Sequence, residues 1–158
     1  MDFEVLPSEG SVSFLTKARE PSDEAPSEWF ARAVELEAVD RDGAERAYRC
    51  AIAGAPDYLD PYLNLGVMLC DSGRCAEAVD LYAQAIVHSP AEPLLHFNLA
   101  VALEDAKRFD EALASYDECM RLSPDFADAH YNAARLHEML GHKARAIRHY
   151  SEYRRLQR

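Results

Sequence analysis

The sequence predicts an all-α fold, a right-handed α-solenoid of about four antiparallel helix pairs. Three residue series predict it. Pro56, Pro90 and Pro124 stand 34 residues apart. Ala44, Ala78, Ala112 and Ala146 keep the same 34-residue step, and so do Tyr48, Tyr82, Tyr116 and Tyr150. Independent series sharing one period of this length mark a stack of repeated helical units rather than a single core.

Residues 1–26 stand apart from the repeats. They hold Pro7, Gly10, Pro21 and Pro26 with many Ser and Glu, the composition of a flexible arm or linker. Two short apolar runs interrupt it: Phe3, Val5 and Leu6, then Val12, Phe14 and Leu15. These leave a second reading open, in which the arm docks on the stack or in the groove of a neighbouring molecule. Repeats are expected at 27–57, 58–91, 92–125 and 126–158. Their helices are expected near 27–39, 44–54, 58–71, 75–88, 92–106, 109–122, 126–140 and 143–156.

Each helix is justified by its face. In the second unit Leu65, Gly66 and Leu69 share one face of a first helix. Ala78, Tyr82 and Ala85 share one face of a second. Between them Gly73 can take the left-handed conformation that ends a helix. Pro90 stops the second helix. The third unit repeats the pattern with Leu99, Ala100, Leu103, Ala112, Tyr116 and Cys119. The fourth repeats it with Ala133, Ala134, His137, Ala146, Tyr150 and Tyr153. Small residues at Gly66/Ala78, Ala100/Ala112 and Ala134/Ala146 let paired helices approach, and the tyrosines fill the space toward the next unit. Asp57 and Asp125 are expected N-caps, with Asp60 and Asp128 three residues on in capping-box fashion.

Tyr62-Leu63-Asn64-Leu65-Gly66, followed by Ala78, Tyr82, Ala85 and Pro90, resembles the tetratricopeptide repeat. The resemblance runs from about Ser27 to the C-terminus. It is weakest in the first unit, where the step from Trp29 to Ala44 is one residue short, so the loop near Asp40–Gly43 is expected to have lost a residue. It implies a superhelix whose first helices line a concave face that binds peptide segments.

Composition fits one helical domain: 158 residues, 49% hydrophobic, with charges for the outer faces. No apolar stretch approaches the roughly 20 residues of a membrane span, and no secretory signal is read at the N-terminus. Cys50, Cys70, Cys75 and Cys119 lack disulfide-framework or zinc-ribbon spacing, so a reducing cytoplasm is expected. Cys119 matches Ala85 one repeat earlier and reads as a small core residue. A redox role for Cys70 and Cys75 needs a basic setting, for which Arg74 is the one nearby cation. The net charge of −11 argues against direct nucleic-acid binding. Lys143, Arg145, Arg148, Arg154, Arg155 and Arg158 crowd the last helix and read as a solvated face closing the stack. An acidic partner or self-association is the alternative use of that patch.

The candidate site is a peptide-binding groove built from three matching triplets: Leu63, Asn64 and Val67; Phe97, Asn98 and Val101; Tyr131, Asn132 and Arg135. Asparagine is a poor interior helix residue, so its recurrence on one face asks for a reason. A carboxamide both donates and accepts, which suits the backbone of an extended peptide. The resemblance implies that role for Asn64, Asn98 and Asn132; the competing reading is that they bridge adjacent helices. Leu63, Val67, Phe97, Val101 and Tyr131 form an apolar floor. Asp60, Asp71, Glu104, Asp105, Asp128 and Glu138 form an acidic rim. The expected partner is a protein segment with apolar anchors and some Lys or Arg. A chaperone-tail clamp is not expected, because Leu94 and Asn98 stand where that variant needs cations.

Catalysis finds no support. There is no Gly-rich phosphate loop, no Gly-x-Ser-x-Gly and no His-Glu-x-x-His. His130 and His137 occupy packing slots and read as core histidines. His88, His96, His142 and His149 form no convergent set in this reading. No cofactor and no metal is expected. The chain therefore reads as a non-catalytic interaction module, a scaffold or adaptor. The alternatives are a regulatory part of a larger bacterial regulator or enzyme, or a self-assembling module. For the former, the opening Met1–Pro7 resembles tails that follow MerR-type DNA-binding heads.

Overall fold

The computed structural model describes residues 24–158, all of whose regular elements are helices. In chain order they are α1 (Pro26–Leu36), α2 (Arg41–Gly54), α3 (Leu59–Asp71), α4 (Cys75–His88), α5 (Pro93–Asp105), α6 (Phe109–Leu122), α7 (Ala127–Met139) and α8 (Lys143–Leu156). Each helix packs on the next, giving four hairpins, and α3 also packs on α5. This is the expected solenoid. The two apolar runs of the N-terminal arm, Phe3–Leu6 and Val12–Leu15, lie outside the described residues.

The hairpin turns follow from the period. Gly73 and Gly141 adopt φ of 76° and 79°. Lys107 occupies the matching position of the third unit with φ 63°. At each turn an N–H reaches back to close the helix: Arg74 to Leu69 O, Arg108 to Leu103 O and His142 to His137 O, each at 2.8 Å. The first turn differs, and the tyrosine–glutamate pairs show how. Tyr116 donates to Glu104 and Tyr150 to Glu138, both 12 residues apart, whereas Tyr48 donates to Glu37 across 11. One residue is missing there, as the sequence implies. The loss shortens α1 rather than the loop: α1 stops at Leu36, and Asp40 caps α2 by accepting from Gly43 N–H at 2.9 Å. Consequently α2 begins at Arg41, three residues before the expected start at 44.

The joints between hairpins share one contact. The Tyr62 hydroxyl donates to Pro56 O at 3.0 Å. His96 Nε2 lies 2.9 Å from Pro90 O, and His130 Nε2 3.1 Å from Pro124 O. The repeated proline thus ends a helix and presents a carbonyl that the following helix secures. The expected caps need correction. Tyr58 and Phe126, not Asp57 and Asp125, occupy the N-cap positions of α3 and α7, and neither supplies a side-chain cap. Asp125 instead accepts from Ser123 Oγ at 2.7 Å. Glu92 does cap α5, accepting from Leu94 N–H.

Packing explains the small residues. Ala44, Ala78, Ala100, Ala112 and Ala134 are fully buried. At Gly66 a Cβ would lie 2.2 Å from Tyr82 Cζ, so the tyrosine ring rests on bare backbone. Tyr48, Tyr82 and Tyr116 are buried in the seams between hairpins, and Tyr150 is half-buried because no described hairpin follows it. Cys119 is fully buried, as a core residue should be.

Candidate functional site

The groove residues lie on the first helices of the last three hairpins, α3, α5 and α7. Val67 is 51% exposed on α3, and Val101 is half-buried on α5. Val34, at the matching slot of α1, is 45% exposed and extends the same stripe. Sequence reasoning missed it, although the one-residue deletion places it in register with Val67. Arg135 continues the slot on α7 and is exposed.

The three asparagines separate. Asn64 Nδ2 donates to the Tyr48 hydroxyl at 3.0 Å, across the first seam. Asn132 faces the Tyr116 hydroxyl across the third. Asn98 makes no side-chain hydrogen bond among the described residues. The reason lies in Tyr82, whose hydroxyl turns to Leu63 O at 3.3 Å. In the other units a glutamate, Glu37, Glu104 or Glu138, receives the tyrosine; in the second unit Cys70 holds that slot. Burial, and then the Glu37 carboxylate, push the Tyr48 hydroxyl up to about 12, so it stays a protonated donor.

The apolar floor is largely packed. Phe97 stacks on Phe126 at 5.0 Å and tilts against Tyr116 at 5.9 Å. Leu63 packs against the core. Tyr131 is 43% exposed beside Tyr150 and Tyr153, with ring centroids 6.0 and 5.2 Å away. Together with Ile147 and Arg154 these tyrosines line a cleft of about 450 Å³ on the last hairpin. The closing face is therefore aromatic there, not only the basic surface the sequence suggested.

Of the rim, Asp60, Asp71, Asp105 and Asp128 are exposed. Glu104 turns inward, accepting from Tyr116 at 3.1 Å and pairing with Arg135 of the next repeat. Glu138 accepts from Tyr150 at 3.0 Å. At the first seam Glu37, Arg41, Asn64, Val67, Met68 and Asp71 enclose a cleft of about 250 Å³. Glu37 and Arg41 were not foreseen, because their place depends on the shortened α1.

The histidines also depart from expectation. His142 and His149 do converge with His130 and His137. His130 Nδ1 lies 3.3 Å from His149 Nδ1, His137 stacks on His149 at 5.5 Å, and His137 Nδ1 lies 3.2 Å from His142 Nδ1. The helical pattern of α7 was legible, but the register of α8 against it was not. Cys70 and Cys75, expected without a metal role, converge with Asp105.

The repeated helical hairpins define a repeat scaffold for protein interaction. One tetratricopeptide repeat model matches residues 34–93 and 69–125, and a second such model matches 103–158. The chain belongs to the tetratricopeptide repeat family. No curated protein matches it by sequence. Among solved structures it is similar to the MamA protein, with 20% identity over 84% of this chain and 73% of that one and a TM-score of 0.75. It is likewise similar to MamA residues 41-end from Desulfovibrio magneticus RS-1, with 13% identity over 86% and 77% and a TM-score of 0.75. At these identities the likeness establishes the fold. Among the described residues no helix is long and apolar enough to cross a membrane.

Proposed function

We propose that the concave face binds an extended segment of a partner protein, without catalysis. The observation that carries this reading is the free carboxamide of Asn98 beside the Val34, Val67 and Val101 stripe. The flanking asparagines are engaged in the seams, so Asn98 offers a donor and an acceptor to a passing backbone. The valines offer apolar contact. Asp71 and Asp105 add negative charge that favours a segment carrying Lys or Arg. This assigns the backbone-binding role to Asn98 first, and gives Asn64 and Asn132 the bridging role that competed with it.

The experiment is affinity capture of partners from native cell extract, comparing wild type with Asn98→Ala and Asp71→Asn/Asp105→Asn. Groove binding predicts weaker capture for both variants and weaker capture in high salt. A partner retained equally under all three conditions does not use this face. Self-assembly is the second reading, favoured by the exposed Tyr131, Ile147 and Tyr153 cleft; sedimentation at rising concentration, with Ile147→Glu as the comparison, tests it.

A further inference from the structure

We infer that Cys70, Cys75 and Asp105 form a binding site for a zinc-class divalent ion, joining the second repeat to the third. One ligand atom from each lies within 4.8 Å of the others. Cys70 comes from the end of α3, Cys75 opens α4, and Asp105 closes α5. The side chains therefore converge from three helices, which chance proximity within a single turn does not explain. A tetrahedral zinc ion with metal–sulfur bonds of about 2.3 Å holds its sulfurs roughly 3.8 Å apart. Two thiolates select a soft or borderline ion over calcium or magnesium.

The repeat pattern supports a distinct role for these positions. Elsewhere the Cys70 slot holds Glu37, Glu104 and Glu138, each receiving a tyrosine hydroxyl. The second repeat gives up that bond, and Tyr82 turns away. Cys75 stands where the other repeats carry Arg41, Phe109 and Lys143. All four cysteines are free; Cys70 and Cys75 are half-buried and Asp105 is exposed, so an ion reaches the site from solvent.

The cysteines bind an ion as thiolates, so binding releases protons, and solvent fills the fourth position. Affinity rises with pH.

The test is titration of the reduced protein with cobalt(II), then displacement by zinc(II). The expected result is one ion per chain, with thiolate-to-cobalt charge-transfer and strong tetrahedral d–d bands. The bands disappear in Cys70→Ser and Cys75→Ser. Asp105→Asn, a surface change that leaves packing intact, weakens zinc binding by about 10-fold or more. Cys50→Ser and His149→Gln leave both readings unchanged. The proposal is overturned if the bands survive Cys70→Ser, if they vanish in His149→Gln, or if the protein with four titratable thiols shows no charge-transfer band.

Discussion

The Asn64 carboxamide donates to the Tyr48 hydroxyl across the seam between the first two hairpins, at 3.0 Å. Tyr48 in turn donates to Glu37. Removing Asn64 deletes one hydrogen bond of a half-buried pair, which costs about 0.5–1.5 kcal/mol. Asn98 makes no such bond among the described residues. Urea denaturation is therefore expected to show Asn64→Ala destabilised by that amount and Asn98→Ala within about 0.5 kcal/mol of wild type. Equal losses in the two variants contradict the division of roles between them.

Gly66 carries the ring of Tyr82 on its bare backbone. The matching positions hold Ala100 and Ala134, so alanine is compatible with the repeat in general but not with this tyrosine conformation. Gly66→Ala is expected to cost roughly 1–3 kcal/mol by overpacking. Ala112→Leu, at a fully buried site, is expected to cost a similar amount. An unchanged thermal midpoint for either contradicts the helix contacts described.

Lys107 holds a left-handed backbone, φ 63°, where the flanking units have glycine. A side chain there costs roughly 1–2 kcal/mol, partly offset by the greater chain entropy that glycine loses on folding. Lys107→Gly is expected to raise stability by up to about 1 kcal/mol. A drop in the urea midpoint contradicts this account of the turn.

Acid is expected to loosen the last hairpin first. Burial, and then the neighbouring imidazoles, hold His137 and His149 below the ordinary histidine range. Arg145 and Arg148 add to this on His137, Arg148 adds to it on His149, and Asp117 opposes both. The unfolded chain thus binds more protons once the pH falls below about 6.5. Stability is full above that value and declines through the window beneath it. Thermal midpoints at about pH 7.5 and 5.5 are expected to fall with acid, and less so in His149→Gln. The carboxylates act lower: the Glu45 carboxyl, depressed first by Arg74, loses its contribution below about pH 4.5. A midpoint flat from pH 7.5 to 5.5 contradicts the histidine assignment.

Much of this architecture was legible because a period is a statement about geometry. Pro56, Pro90 and Pro124 mark the joints, and Tyr48, Tyr82 and Tyr116 mark the seams. A stack repeats its contacts only if its sequence repeats. Gly73 was legible as a turn because glycine takes positive φ freely. The caps were misread by one residue, because a cap is set by the backbone angles at Tyr58 and Phe126 rather than by the nearest aspartate. The triplets were legible as matching positions of α3, α5 and α7, yet Asn64 and Asn98 look identical in sequence.

What the sequence by itself determined is the number of hairpins, the missing residue in the first and the faces each helix buries, since these follow from local periodicity and side-chain size. Only the tertiary structure decided which asparagine is free, how four histidines meet, and that Asp105 of one repeat reaches two cysteines of another. Those outcomes depend on how helices distant in the chain slide and rotate against each other. Shifts of an ångström make or break a hydrogen bond there, while the hydrophobic pattern stays the same.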